Sequence, residues 1–293
     1  MQNNPLFSVL IANYNNGKYL QEAIDSVFAQ TYTNWEIIIV DDASTDNSSA
    51  IYEKYQQDSR FHIYYNEQNM GCGYTKCRCV ELAQGEICGF LDPDDSITEN
   101  ALEVMAQVHL DNPEVSLAYS QLNVVDAEMN FVEVFDVQRD IPEDSSFLEY
   151  GIGVSHFAVF KKSSYDKTPG INPKYLRAVD HDMYYLLEEV GTLMFVKKPL
   201  YNYRTETNQN ISLGENWYKA FLWHLIGEIE ACQRRGFTSK QTEDVLSKDL
   251  KECLDDYAFA SVFEKEKEIR ASKAYRLGNL ILKPFKKIAR RNK

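Results

Sequence analysis

The sharpest chemical feature of the sequence is Asp92-Pro93-Asp94-Asp95, three carboxylates within four residues. Such a cluster repels itself unless a cation compensates it, and Pro93 stiffens the turn so that Asp92 and Asp94 can point to one side. Hard divalent cations such as Mg2+ and Mn2+ take oxygen ligands of this kind, from one or two carboxylates together with substrate phosphates. The plainer alternative is an acidic turn capping a helix that starts near Ser96. A second acidic pair lies in Val40-Asp41-Asp42-Ala43-Ser44. Ser44 or Asp46 can cap the following helix, but capping does not explain two acids at the end of Ile-Ile-Ile-Val. A carboxylate there can accept a hydrogen bond from the imide N–H of a base or from ribose hydroxyls. Cysteines at 72, 77, 79 and 88 form a Cys-x4-Cys-x-Cys-x8-Cys run that matches no zinc template, so buried or half-buried thiols are expected rather than a metal.

The elements that must position these acids alternate between strand and helix. Leu6–Ala12 is an apolar run suited to a strand covered on both faces, and Asn13-Tyr14-Asn15-Asn16-Gly17 is a turn. From Lys18, Tyr19, Leu20, Ala23, Ile24, Val27 and Phe28 recur at helical spacing. Trp35–Val40 predicts a second strand, followed by a helix to about Gln57; Phe61–Tyr65 a third, with a helix ending near Gly85; Ile87–Leu91 a fourth. Four β-α units in succession imply a parallel, twisted sheet with helices on both faces, whose ligands bind beyond the carboxyl ends of the strands. The acids fall at that edge. From Glu114 the pattern is β-rich, with further strands expected over 154–160 and 193–203 and a helix over 180–190. Long helical patterns follow over 217–235 and 238–267, with a domain boundary near 210.

In this order, the pieces resemble the family 2 glycosyltransferases of the GT-A fold. The matching stretches are Ser8-Val9-Leu10-Ile11-Ala12-Asn13-Tyr14-Asn15, the Gln30-Thr31-Tyr32 to Trp35-Glu36 connection, Val40–Asp46, Asn69-x-Gly71, Ala83-x-Gly85-Glu86 and Leu91-Asp92-x-Asp94-Asp95. They cover roughly residues 6–110, with weaker similarity to about 212. The resemblance implies a Rossmann-like, mostly parallel sheet flanked by helices. It places a nucleotide-sugar-binding half over 1–110, an acceptor-facing half over 111–212 and a helical C-terminal region over 213–293. It implies a hexosyltransferase-type activity that moves a sugar from a nucleotide-sugar donor, usually UDP-linked, to a hydroxyl with inversion. Such enzymes most often build surface polysaccharide or lipid-linked glycans from the cytosolic side.

Carried over by position, Ala12, Asn13, Tyr14 and Asp42, with Asp41 nearby, would hold the nucleoside. Asp92 would sit near ribose and metal, and Asp94 would ligate a Mn2+ or Mg2+ ion with Asp95 in support. The Arg usual in the helix before Gly-Glu is replaced by Lys76, which keeps the charge but loses the bidentate fork; Arg78 is the alternative. The catalytic base aligns with Asp180 in Val179-Asp180-His181-Asp182, although Val179 departs from the family's Glu; an acid at a helix start is also an ordinary cap, and Asp182 is the fallback. Tyr203-Arg204 matches a family Tyr-Arg but no His follows, and the loop over 205–212 is the candidate lid. His156 and His181 lie in the acceptor region, where a lone His is more often structural.

The charge balance separates functions. The chain carries 31 basic and 44 acidic residues, a net charge of −13. Nine of the basic residues fall in the acid-free segment 269–293, which leaves −22 on the rest and argues against a nucleic-acid partner. Over 277–293, Leu277, Leu280, Ile281, Phe285 and Ile288 form an apolar stripe beside Lys283, Lys286, Lys287, Arg290 and Arg291. That segment suits peripheral contact with an anionic membrane; docking on the acidic body, including in a homodimer, is the alternative. With no signal peptide and no spanning segment read from the sequence, a cytoplasmic location is expected. Two readings stay open beside the enzyme: a catalytically silent nucleotide-sugar-binding or membrane-docking subunit, and a nucleotidyltransferase, which the loop after the first strand does not favour. No G-x-G-x-x-G follows that strand, which disfavours a dinucleotide-dependent oxidoreductase.

Overall fold

A computed structural model describes residues 4–135, 138–150, 153–205 and 217–260. They divide into two compact units, one drawn from 4–147 and 153–205, the other from 148–150 and 217–260. The boundary expected near 212 falls outside the described residues, as do most of the candidate lid and the basic segment 277–293.

The first unit is built on one sheet. Strands β1 (Phe7–Asn13), β2 (Trp35–Asp41), β3 (Phe61–Tyr65) and β4 (Ile87–Phe90) pair in parallel in the order β3-β2-β1-β4. Helices α1 (Leu20–Phe28), α2 (Ser48–Tyr52) and α3 (Cys72–Leu82) connect them. Every residue of β2 is buried, the consequence of a parallel sheet covered on both faces. Leu20, Ala23, Ile24 and Val27 put the apolar face of α1 into the core formed with Val9, Ile11, Ile37 and Ile39. The register sets Asn13 against Asp41 and Leu10 against Phe90, so the polar segments after β1, β2 and β4 emerge at one edge. Chain order reverses between β1 and β4, the position at which open α/β sheets form a crevice for ligands.

Beyond β4 the chain adds β5 (Ser96–Ile97), α4 (Ala101–Asp111), β6 (Val115–Val125), β7 (Phe131–Phe135), α5 (Phe147–Tyr150), β8 (Ala158–Lys161), α6 (Lys162–Tyr165), α7 (Val179–Glu188) and β9 (Thr192–Arg204). The sheet continues β4-β8-β6-β9-β5, with β7 at the edge of β6; β8 runs antiparallel to β4 and β6, while β9 runs parallel to β6. Three expectations are corrected. Ser96 opens no helix: Ser96 and Ile97 pair with Asn202 and Tyr201, and helix begins only at Ala101. The strand expected from Val154 starts at Ala158, which leaves His156 on the segment leading into it. Helix α2 stops at Tyr52 rather than near Gln57, and turns follow it in which Glu53, Lys54, Gln56 and Gln57 face solvent while Tyr55 packs on the core.

The second unit contains α8 (Trp217–Arg234) and α9 (Ser239–Ala260). Gly236 turns the chain in a left-handed conformation, φ 68°. Thr238 and Gln241 then start α9 with a reciprocal capping box, Thr238 N donating to Gln241 Oε1 at 2.9 Å and Gln241 N to Thr238 Oγ1 at 3.3 Å. No described helix is long and apolar enough to cross a membrane.

Candidate active site at the strand ends

The ends of β1 and β2 are locked together by their own polar residues. Asp41 Oδ2 accepts from Tyr52 Oη at 2.6 Å and from Asn13 Nδ2 at 3.2 Å, and Asp41 Oδ1 accepts from Ser44 N at 2.7 Å. Ser44 Oγ accepts from Asn15 N at 2.9 Å, so Ser44 ties the two loops together instead of capping α2. Asp46 receives Ser48 N at 3.0 Å and Gly17 N at 2.7 Å. Asp42 holds the next loop: its Oδ1 takes Asn66 Nδ2 at 2.6 Å and Met70 N at 2.8 Å, its Oδ2 takes Gly71 N at 2.9 Å. Asn13, Asp41 and Asp42 are buried and shape the cradle, whereas Tyr14 is 45% exposed on its surface. Asn15 (φ 55°) and Ala43 (φ 63°) adopt left-handed conformations in these loops, local strain of the kind found beside binding sites.

The acidic turn after β4 is clamped by β9. Arg204, fully enclosed, donates from Nε to the Asp94 carbonyl at 2.7 Å and from its backbone N to Asp95 Oδ1 at 2.8 Å. Its guanidinium also meets Glu22 of α1 and lies over the Tyr19 ring. Tyr201 Oη donates to Asp95 Oδ2 at 2.8 Å and accepts from Asp92 N at 3.2 Å. Burial, reinforced by Asp94 and Asp92, pushes the Asp95 pKa well up. Asp95, expected beside Asp94 as a metal ligand, is thus a buried group whose two oxygens fix the turn to β9. Asp94 stays partly exposed on that clamped turn. Half-exposed carboxylates at a strand end, Asp92 and Asp94, are oxygen donors of the kind a hard divalent cation takes.

The centre of the site joins both halves of the first unit. Lys76, buried on α3, has its Nζ 3.3 Å from Asp92 Oδ1. His156 Nε2 lies 3.5 Å from Asp92 Oδ2 and 3.7 Å from Asp180 Oδ2, and its ring stacks on Tyr201 at 5.0 Å. Burial would raise the pKa of Asp92, yet Lys76 and His156 outweigh it and hold the carboxyl below its usual range. The same contest at Asp180, with Lys76, His181, His156 and its own backbone N–H all favouring the anion, brings its pKa to about 2. Burial alone would lower the pKa of Lys76; Asp92, Cys72 and Asp180 raise it instead. Cys72 sits among Lys76, Asp92, Asp180 and Asp42, and burial carries its thiol up to about 11. Asp92 and Asp180 therefore meet at Lys76 and His156, although they come from distant parts of the sequence.

Two alternatives left by the sequence are separated by this geometry. Lys76 and not Arg78 faces Asp92, since Arg78 donates to the Tyr65 carbonyl at 2.8 Å on the outer side of α3. Asp180 retains 28% exposure while Asp182 is buried, so the first acid of α7 is the accessible one. Gly73 allows this meeting: its N donates to Tyr175 O at 2.9 Å, and a Cβ there would lie 2.4 Å from that carbonyl oxygen. Sequence reasoning missed the turn clamp of Arg204, Tyr201 and Glu22. The Tyr203-Arg204 match marks Arg204 but does not show what it meets. Cys79 and Cys88 donate weakly to the Ile11 and Gly85 carbonyls inside the core and belong to packing.

Comparison with known proteins converges on one family. The family model described as glycosyl transferase family 2 matches residues 8–168. The chain is similar to a chondroitin synthase of Escherichia coli, 28% identical over 215 residues, an alignment that takes in 71% of this chain but spans only 30% of that protein's length. Its fold is similar to that of S. aureus TarS in complex with UDP-GlcNAc, with a TM-score of 0.64 at 18% identity over 89% of this chain and 77% of that one. It is also similar to a mannosyltransferase from Pyrobaculum calidifontis in complex with GDP-Man and Mn2+, with a TM-score of 0.62 at 14% identity over 96% and 87% of the two chains. The curled, mostly parallel GT-A-type sheet expected from the sequence is the one the chain adopts.

Proposed function

The chain belongs to glycosyl transferase family 2, and on that premise we propose that it transfers a sugar from a nucleotide-sugar donor, most simply a UDP-sugar, to a hydroxyl of a glycan or lipid-linked acceptor with inversion. The observation that carries the reading is the Lys76–Asp92–His156–Asp180 constellation, a buried cation and an imidazole between two carboxylates, at the crevice between β1 and β4. The nucleoside lies against Ala12, Asn13 and Tyr14; the Asp42 carboxylate, with three of about four acceptor positions used, keeps one for the base. Lys76 provides the positive charge that draws the diphosphate, and Asp92 orients ribose and sugar. Asp94 would hold a divalent cation, which when bound would supply charge to offset the leaving nucleoside diphosphate.

Asp180 accepts the proton of the acceptor hydroxyl while that oxygen attacks the anomeric carbon from the face opposite the diphosphate. A carboxylate held near a pKa of about 2 by Lys76, His181 and His156 is a weak base. Donor binding changes that. The diphosphate competes for Lys76 and His156, removes stabilisation from the Asp180 anion and raises its proton affinity, so the base strengthens only when there is something to transfer. One displacement needs one base, which is what the site offers.

The test is a donor screen: UDP-, GDP- and dTDP-sugars with Mn2+ or Mg2+, with and without EDTA. Sugar release or transfer from a UDP-sugar, lost in EDTA, supports the reading. Binding of UDP with no turnover of any donor favours a silent nucleotide-sugar-binding subunit instead. Assembly of a surface polysaccharide on the cytoplasmic face of a membrane is the setting we assign, with 277–293 as the membrane-contact segment and a homodimer as the competing use of that segment. The chondroitin synthase among the relatives supports the polysaccharide part of this setting.

A further inference from the structure

The second unit buries a cluster that the proposed reaction does not use. His224 and Glu228 stand one turn apart on α8, and therefore on the same face, with Asp249 opposite them on α9. His224 Nε2 lies 2.5 Å from Asp249 Oδ2 and 3.6 Å from Glu228 Oε1, and one donor atom from each of the three residues falls within 4.8 Å of the others. Glu228 is completely buried, and neither of its oxygens receives a hydrogen bond from a described residue. Its carboxylate neighbour Asp249 can bond it only through a shared proton. Lys248, the basic neighbour that acts on Glu228, directs its ammonium to the Glu149 and Tyr150 carbonyls at 2.7 Å each.

An orphaned carboxylate at zero exposure is costly, and two neighbouring carboxylates repel unless something positive lies between them. A proton or a metal ion can fill that role. We propose that His224, Glu228 and Asp249 are a transition-metal site, of the Zn2+ class, that staples α8 to α9. The imidazole distinguishes this set from an acidic patch: one nitrogen and two carboxylate donors suit Zn2+, Co2+ or Mn2+ better than Ca2+ or Mg2+. A tetrahedral ion with bonds of about 2.1 Å holds its ligand atoms roughly 3.4 Å apart. The His224–Glu228 pair already has that spacing, and the His224–Asp249 pair needs only a side-chain adjustment to open. The site is independent of the transfer reaction, so either reading can fail without the other.

The experiment uses the full-length chain, stripped with chelator and carrying Asp94→Asn to weaken the other candidate cation site. Zn2+ binding is read by calorimetry and elemental analysis, and Co2+ by its visible absorption. One tightly held Zn2+ per chain is expected, along with a Co2+ spectrum abolished by Zn2+ and a thermal midpoint that rises with Zn2+ concentration. Adding Glu228→Gln, a neutral isostere that keeps the shape of the pocket, weakens Zn2+ by more than the roughly 100-fold that changes outside the ligand shell cost. Asp249→Asn does the same. Absence of a tight Zn2+ in the Asp94→Asn chain, or unchanged affinity after Glu228→Gln, overturns the proposal and leaves a proton-sharing carboxylate pair.

Discussion

Without the Lys76 ammonium, Asp92 and Asp180 would face one another with only His156 between them. Lys76→Met is therefore expected to destabilise the protein by about 2 kcal/mol, less than a fully buried broken pair because both carboxylates keep partial exposure. It should also raise the donor dissociation constant at least roughly tenfold, the equivalent of about 1.4 kcal/mol. Lys76→Arg, which restores the charge, should recover stability and part of the affinity. Urea unfolding and UDP titration of the two variants measure both effects. Equal stability of Lys76→Met and wild type would mean that the buried charge is compensated by other groups. The sequence shows a charge at position 76 but not what it meets. Its partners Asp92 and Asp180 are brought to it by β4 and α7, and the pairing is a product of packing.

The elements hold the site through contacts that are long-range in sequence. Arg204 at the end of β9 bonds the turn after β4 and reaches Glu22 of α1. Arg204→Lys, which cannot reproduce that fork, should lower turnover and stability together, with a loss of about 2–3 kcal/mol readable by denaturation. Gly85 has a comparable constraint at the opposite edge: a Cβ there would lie 2.5 Å from Ser8 Oγ and 2.7 Å from the Leu6 carbonyl oxygen. Gly85→Ala should therefore destabilise by about 1–3 kcal/mol without altering donor affinity in the folded fraction. On α4, burial lowers the His109 pKa to about 4 against 6.5 for the ordinary group, and its Nε2 bonds the Val159 carbonyl at 3.0 Å. The unfolded chain binds the proton first, so stability is complete above pH 6.5 and declines as pH falls toward 4, by about 3 kcal/mol in all. His109→Gln should flatten that decline in a pH series of unfolding midpoints.

What was legible in the sequence follows from the same distinction. Strands β1 to β4 could be read because each is a short apolar run ended by its own turn residues, and the glycosyltransferase resemblance rests on those local pieces. Ser96-Ile97 was misread as a helix start because its strand partners, Asn202 and Tyr201, lie more than a hundred residues away. His156 was weighed as structural because nothing near it in sequence shows that two carboxylates converge on its ring.

At the scale of the molecule, the fold brings Asp180, from the later half of the first unit, to the crevice at the ends of β1 and β4. The strand order returns β8, and with it His156, next to β4, and Gly73 lets the segment before α7 approach α3. With a net charge of −13 on the chain, a doubly charged diphosphate is expected to rely on Lys76 and a cation rather than on the general field. The central claim is that Asp180 is the base of that site and not a helix cap. Single-turnover sugar transfer by Asp180→Asn, measured beside its UDP dissociation constant, tests it most directly. Transfer reduced by about 10²–10⁴-fold with UDP affinity close to wild type is expected. Transfer within a few-fold of wild type would contradict it.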